Sequence, residues 1–318
     1  MAIGVTSLFK TIMTKEALKK FLISKPGYIK SGAPKISRIF NVSMNIATAA
    51  RKAAMAEIAE DTEPVPTQDA LYKEFLEWKA NANPFKKIPT ERLPKPYTGG
   101  NPDNVLVIGD LHEPFCLKEY LKFCREIQER DDCGTVVFIG DVIDNHYSSY
   151  HESEMQTFGP NEEFDVAKAK LQRWYKVFPE AYVTIGNHDR MVHRKAKSAG
   201  IADQWVIDYS TALGTPGWKF VHEVMIQGVC YNHGEGGTAR SRMKNDLCPQ
   251  VQGHLHSQFY VDYSVGKEHK IFGMQVGCGI DRTAFAFAYG KNGPKPVIGC
   301  GTVTNKGKLP CLYPMELK

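Results

Sequence analysis

Three times this chain drives an apolar run into a glycine followed by Asp or Asn. Residues 105–108 end at Gly109-Asp110, residues 136–139 at Gly140-Asp141, and residues 182–185 at Gly186-Asn187. Runs of this length read as strands buried on both faces, the pattern of a parallel sheet covered by helices. Helical patterns over 117–130 and 161–178 separate them, so strands and helices alternate as in an α/β domain. In open α/β sheets the carboxyl ends of the strands face a common crevice, and side chains just past those ends can converge there.

What stands past the strand ends is chemically uniform. The first gives Asp110 and His112, the second Asp141 and Asp144, the third Asn187, His188 and Asp189. Later come "YNHGEGG" with His233 and "GHLHSQF" with His254 and His256. Turn chemistry would account for one Gly-Asp, but not for five ordered motifs that each follow an apolar strand. Asp, Asn and His without Cys suit two divalent ions, with Mn preferred over Fe, Zn or Ni, better than a thiolate zinc site. A glycine before each motif lets the backbone turn tightly and approach such ions. The remaining histidines (146, 151, 193, 222 and 269) fit no motif and read as surface or hydrogen-bonded residues.

The eight cysteines form no CxxC pair, which reads as reduced thiols in a cytoplasmic protein. No apolar run is long enough for a membrane span, so no membrane partner is expected. After about residue 216 the strands shorten, and a second, largely antiparallel sheet is expected to face the first. "MIQGVCY" reads as a hairpin around Gln227-Gly228.

The ordered set GD-x-H, GD-x-x-D, GNHD, an isolated His before Gly, and GH-x-H resembles the calcineurin-like metallophosphoesterase superfamily over about residues 104–281. The resemblance implies a four-layer α/β/β/α sandwich. It also implies that Asp110, His112 and His256 hold one metal, that Asp141 bridges to a second, and that Asn187, His233 and His254 complete the second. His188 would be the leaving-group acid, serving attack on phosphorus by a metal-bridged hydroxide. Asp144 and Asp189 read as groups that orient histidines, and Arg190, Arg240 and Arg242 as candidates to meet phosphate oxygens. Protein Ser/Thr phosphatases of the superfamily carry Arg and Glu where this chain has Asn145 and Asp189. The sequence is thus closer to the phosphodiesterase and nuclease branches.

Charge divides the chain. Residues 1–60 hold ten Lys/Arg and three Glu, a balance of +7 against a total of +5, which leaves −2 for the rest. That front end reads as a small basic helical domain that approaches a polyanion. Within it, Pro34 opens one helix, residues 41–43 turn, and Ser43 caps a second, alanine-rich helix, a spacing that resembles a helix-turn-helix. Residues 61–103 carry seven of the eighteen prolines and read as a connector, interrupted by one helix with Leu71, Phe75 and Trp78 on a stripe. Residues 104–318 form the metallophosphoesterase domain. The expected function is hydrolysis of phosphodiester bonds in nucleic acid. The rivals are a phosphomonoesterase acting on nucleotides or phosphoproteins, and a DNA-binding regulator that uses the fold as a scaffold.

Overall fold

The computed structural model describes residues 14–55, 87–148, 159–281 and 295–316. Two compact units divide the chain: residues 1–87 with 154–158, and residues 88–153 with 159–318. The helix expected around Leu71, Phe75 and Trp78 lies outside the described residues.

In the first unit, α1 (Lys15–Ser24) starts at Thr14, whose side chain accepts from the Ala17 N–H at 3.1 Å. A 3₁₀ turn (Pro26–Ser31) leads to α2 (Ala33–Phe40), which buries Ile36, Ile39 and Phe40. Asn41 then adopts the left-handed conformation, φ 47°, which Asn tolerates better than most residues. Ser43 Oγ accepts from the Ile46 N–H at 3.3 Å at the start of α3 (Met44–Met55). Helix α3 turns Ala47, Ala50 and Ala54 inward, where α1 packs against it. Phe21 meets Tyr28 and Phe40 edge-on, with ring centroids 5.2 and 5.3 Å apart.

The second unit holds two sheets. The first has the order β11-β10-β1-β2-β3-β4. Its strands are β1 (Asn101–Ile108), β2 (Cys133–Phe138), β3 (Ala181–Thr184), β4 (Trp218–Val221), β10 (Gly299–Thr304) and β11 (Leu309–Pro314). Strands β1 to β4 are parallel, and β10 and β11 continue the sheet antiparallel. The second sheet has the order β5-β6-β7-β9-β8, formed by β5 (Glu223–Ile226), β6 (Val229–Asn232), β7 (Gln250–Gln252), β8 (Tyr260–Val265) and β9 (Lys270–Gln275).

Alternation along β1 and β2 builds both sides of the first sheet. Val105, Val107, Val137 and Ile139 face Val229, Tyr231, Val251 and Phe272 of the second sheet. Leu106, Ile108 and Phe138 face α4 (Tyr120–Arg130) and α5 (Pro160–Val177), where Trp174 and Phe178 close the core. Three further helices follow: α6 (Met191–Ser198), α7 (Tyr209–Leu213) and α8 (Ala239–Asp246), the last against β7, β8 and β9. The result is the expected α/β/β/α sandwich.

Three expectations need adjustment. The second sheet is mixed rather than largely antiparallel, because β6, β7 and β9 run parallel; α8 supplies the crossover from β6 to β7 that a parallel pair requires. The strand in "PVIGCGTVTN" joins the first sheet, beside β1, instead of the second. Residues 88–100 are bound to the second unit: Glu91 pairs with Lys118 and Arg173 at 2.7 and 2.8 Å, and Tyr97 Oη donates to Asp132 at 2.6 Å. The hairpin stands where it was read, with Ile226 opposite Val229 and positive φ at both Gln227 and Gly228.

Candidate metal centre

Each motif begins where its strand stops. Asp110 lies two residues past β1, and Asp141 and Asn187 lie three residues past β2 and β3. Beyond the strands the backbone bends sharply, and three of the motif residues sit at positive φ: His112 at 49°, Asp141 at 48° and His254 at 65°. Asp, Asn and His reach this region more often than other side chains. Two glycines are required by closeness. A Cβ on Gly186 would land on the Asp141 carboxylate, and one on Gly253 on that of Asp110.

The bends gather the side chains into two groups. Donor atoms of Asp110, His112 and His256 lie within 4.8 Å of one another, as do those of Asp141, His233 and His254. Asn187 Oδ1 is 3.1 Å from His233 Nε2, which brings it to the second group. Asp141 Oδ2 reaches both groups, at 3.1 Å from His233 Nε2 and 3.6 Å from His112 Nε2. In the first group, His256 Nε2 lies 2.9 Å from Asp110 Oδ2, which also accepts from the His254 N–H at 3.0 Å.

Hydrogen bonds at Nδ1 fix how three rings face. His112 Nδ1 meets Asp144 Oδ1 at 2.6 Å, His233 Nδ1 meets the Ile139 carbonyl at 2.8 Å, and His188 Nδ1 meets the Asp144 carbonyl at 2.5 Å. A proton held at Nδ1 leaves Nε2 to face a metal or a substrate. Asp144 thus orients His112 through its carboxylate and His188 through its backbone. His188 also donates its N–H to Asp141 Oδ1 at 2.8 Å.

The electrostatics call for positive charge. Asp110, Asp141, Asp144 and Asp189 are all buried. Burial resists ionisation of Asp141, yet His233, His188 and His112 hold its pKa well below the usual carboxylate range. The response appears at His233, where burial disfavours the cation but Asp141 and Asp110 hold the pKa up at about 10. His112 moves the other way, lowered by burial and by His188. Asp110 Oδ1 is buried with no hydrogen-bond partner among the described residues, an arrangement that costs free energy unless something else satisfies it. The residues therefore fit a pair of divalent cations: hard and borderline donors, net negative, with one carboxylate reaching both groups.

Other expected residues do something different. Asp189 orients no histidine. Its two oxygens accept from the backbone amides of Gly186, Asp141 and Val142 at 2.9, 2.8 and 3.0 Å, tying the second motif to the third. Burial and the neighbouring Asp141 push its pKa up to about 7. Arg190 pairs with Glu235, Arg240 with Asp262, and Arg242 with Asp246. All three are partly exposed and pair with carboxylates.

Sequence reasoning missed the amides beneath the histidines. Asn232 Nδ2 donates to Gln250 Oε1 at 2.9 Å, and Gln252 Nε2 to Asn232 Oδ1 at 2.8 Å, while Gln275 Nε2 donates to the Gly253 carbonyl. These four buried residues end or open strands of the second sheet and fix the loops that carry His233 and His254. The signal was an Asn or Gln at the end of each short strand. His146, read as a surface or hydrogen-bonded residue, is largely buried, with Nδ1 3.8 Å from Asp144 Oδ2.

Residues 104–268 match the calcineurin-like phosphoesterase family. Among curated proteins none matches the chain significantly. Similar solved structures include Vacuolar Protein Sorting 29 from Cryptosporidium parvum, 18% identical, covering 68% of this chain and 92% of its own, TM-score 0.37. The phosphoesterase Yfce from E. coli is 15% identical and covers 64% and 88%, TM-score 0.32. The nuclease MPE from Pseudomonas putida is 10% identical and covers 66% and 86%, TM-score 0.29. No described helix is long and apolar enough to cross a membrane.

Proposed function

This chain belongs to the calcineurin-like phosphoesterase family, and we propose that it hydrolyses phosphodiester bonds in nucleic acid with two divalent ions, Mn²⁺ foremost. The observation that carries the reading is Asp141, whose Oδ2 lies within 3.1 and 3.6 Å of histidines from the two donor groups. Asp110, His112 and His256 would hold one ion, Asn187, His233 and His254 the other, and Asp141 both. Such a pair supplies Lewis acidity toward phosphate oxygens and lowers the pKa of bound water.

The chain's own groups do the rest. Burial disfavours the His188 cation, but Asp141 and Asp144 raise its pKa, so the ring can hold protons on both nitrogens. Nδ1–H donates to the Asp144 carbonyl, and Nε2–H protonates the leaving oxygen, a role typically worth about 10²–10⁴-fold. Asp144 holds His112 and His188 in register, and Asp189 fixes the backbone under Asp141. A diester suits this site better than a monoester. Asn145 stands where related phosphatases place an Arg, and Arg190, Arg240 and Arg242 are engaged by carboxylates. A dianionic monoester would lack that phosphatase Arg here. The +7 balance of residues 1–60 supports a polyanionic substrate and a front end that adds affinity for it.

The test is a substrate panel with added Mn²⁺: bis- and mono-p-nitrophenyl phosphate, single- and double-stranded DNA, and RNA. Diester hydrolysis should exceed monoester hydrolysis, with at least one nucleic acid cut. Faster monoester turnover would move the phosphomonoesterase reading ahead. No turnover with any divalent ion would remove the enzymatic reading.

A further inference from the structure

Helix α6 leaves the third motif directly, since Met191 follows Arg190 of "GNHDR". Its eight residues, MVHRKAKS, carry Arg194, Lys195 and Lys197 and no acid. Cations in a last helical turn complement the helix dipole, which would be reason enough for two of them. The loop that follows needs a different explanation. It folds back on the helix, with the Ile201 N–H on the Ala196 carbonyl at 2.9 Å, and runs into a 3₁₀ turn, Asp203–Trp205, that packs against α6. There Trp205 stands 86% exposed, the most exposed large apolar residue described, flanked by exposed Ile201 and Ile207. A tryptophan held in that position contributes nothing to the core.

Beside it opens a cavity of about 210 Å³. Phe164, Val192, Ile207 and Tyr209 give it apolar walls, and His193, Asn145 and Asp189 also line it. The His193 ring lies 4.5 Å from that of Tyr209, and its Nδ1 is buried with no hydrogen-bond partner among the described residues. Asn145 Nδ2 donates to the His188 carbonyl at 2.9 Å, so the wall of the cavity is one hydrogen bond from the leaving-group acid. An engineered cavity of about 150 Å³ takes up benzene, so this one has room for a single heterocyclic ring.

We propose that α6, Trp205 and this cavity form a track for an unpaired nucleic-acid strand, with one base in the cavity and a neighbouring base stacked on Trp205. The inference rests on the phosphodiesterase reading and names the form of its substrate. Stacking platforms beside basic residues bind single strands without sequence preference, because every base offers a π face. Lys197 meets the backbone phosphates, with Arg194 and Lys195 on the same helix, and the enclosed base is held by the apolar walls and the His193 and Tyr209 rings. Asp203 and Asp208 are the acids of this stretch, and Asp208 is occupied in capping α7 through the Thr211 N–H at 3.0 Å. A duplex cannot use the track, since its bases are stacked and paired; enzymes that need an enclosed base must first extrude it.

The experiment compares full-length wild type, Trp205→Ala, and Arg194→Ala with Lys197→Ala. Binding to single-stranded DNA, single-stranded RNA and duplex DNA is followed by anisotropy, with 2-aminopurine in one strand to report stacking. Turnover of bis-p-nitrophenyl phosphate is measured alongside, and should be unchanged in every variant. Trp205→Ala should weaken single-strand binding roughly 5- to 150-fold, abolish the 2-aminopurine change and leave duplex binding alone. The double variant should flatten the single-strand salt dependence by up to about 1.4 in log–log slope. Unchanged single-strand affinity in Trp205→Ala, or an equal loss on duplex, overturns the track. Single-strand binding that depends on Trp205 without hydrolysis of any diester would uphold the track and sink the hydrolytic reading.

Discussion

The two units bury different things. The first fills its core with Leu18, Phe21, Leu22, Tyr28, Ile36, Ile39 and Phe40, and among its described residues no charged side chain is buried. The second buries Asp110, His112, Asp141, Asp144, His188, Asp189 and His233 within one site, beside apolar cores as ordinary as that of the first unit. Burying a charge is unfavourable unless it is paired or bound to metal. The first unit is therefore organised for stability, and the second gives up stability most densely at this site, with single charges such as Glu113 and Lys170 buried elsewhere. What a chain keeps against its own folding free energy marks where it works.

The comparison is broken most severely by substitution at Asp141. Asp141→Asn removes the carboxylate that reaches both donor groups. Turnover should be abolished and bound metal reduced, with near-UV circular dichroism unchanged. Retained turnover with full metal content would show that the buried carboxylates are not the working part.

His188→Asn should come next, with a loss of about two to four decades in turnover on alkyl esters and little change in metal content. On p-nitrophenyl esters, whose leaving group needs no proton, the loss should shrink. Equal losses on both ester types would contradict a proton donor and make His188 a structural residue like those of the first unit.

Ala50→Leu tests the other half and should have the smallest effect on chemistry. The added volume between α1 and α3 should cost about 1–3 kcal/mol in the first unit, visible as an earlier thermal transition. Turnover of bis-p-nitrophenyl phosphate should stay at the wild-type value. A parallel fall in turnover would mean that the two units are not separable in function.

Most of the site was legible because metal chemistry needs particular side chains at the ends of strands. Asp110, His112, Asp141, Asn187, His233, His254 and His256 could be picked out by their place after apolar runs, and the structure brings them together. What stayed hidden was set by tertiary contact. Nothing in "GNHDR" announces that Asp189 will accept three backbone amides and no histidine, or that Arg190 will find Glu235 from another loop. Sheet membership failed for a similar reason. Strand β10 reads like its neighbours in sequence, and only the partner it meets, β1, assigns it to the first sheet. Local helices were easier: α2, the turn at Asn41 and α3 follow from capping and periodicity alone.

The left-handed backbone at His112, Asp141 and His254 carries a lesson about inheritance. For an L-residue that conformation costs roughly 1–2 kcal/mol, and glycine is the substitution that relieves it. At each of these positions the fold pulls toward a residue that would end the chemistry. A lineage released from the need to cut phosphoesters would have every local incentive to drift to glycine at 112, 141 and 254. Relatives of this chain can be sorted on that basis: those with Gly at these positions should be inert, while those that keep His, Asp and His hold them by continued selection for use.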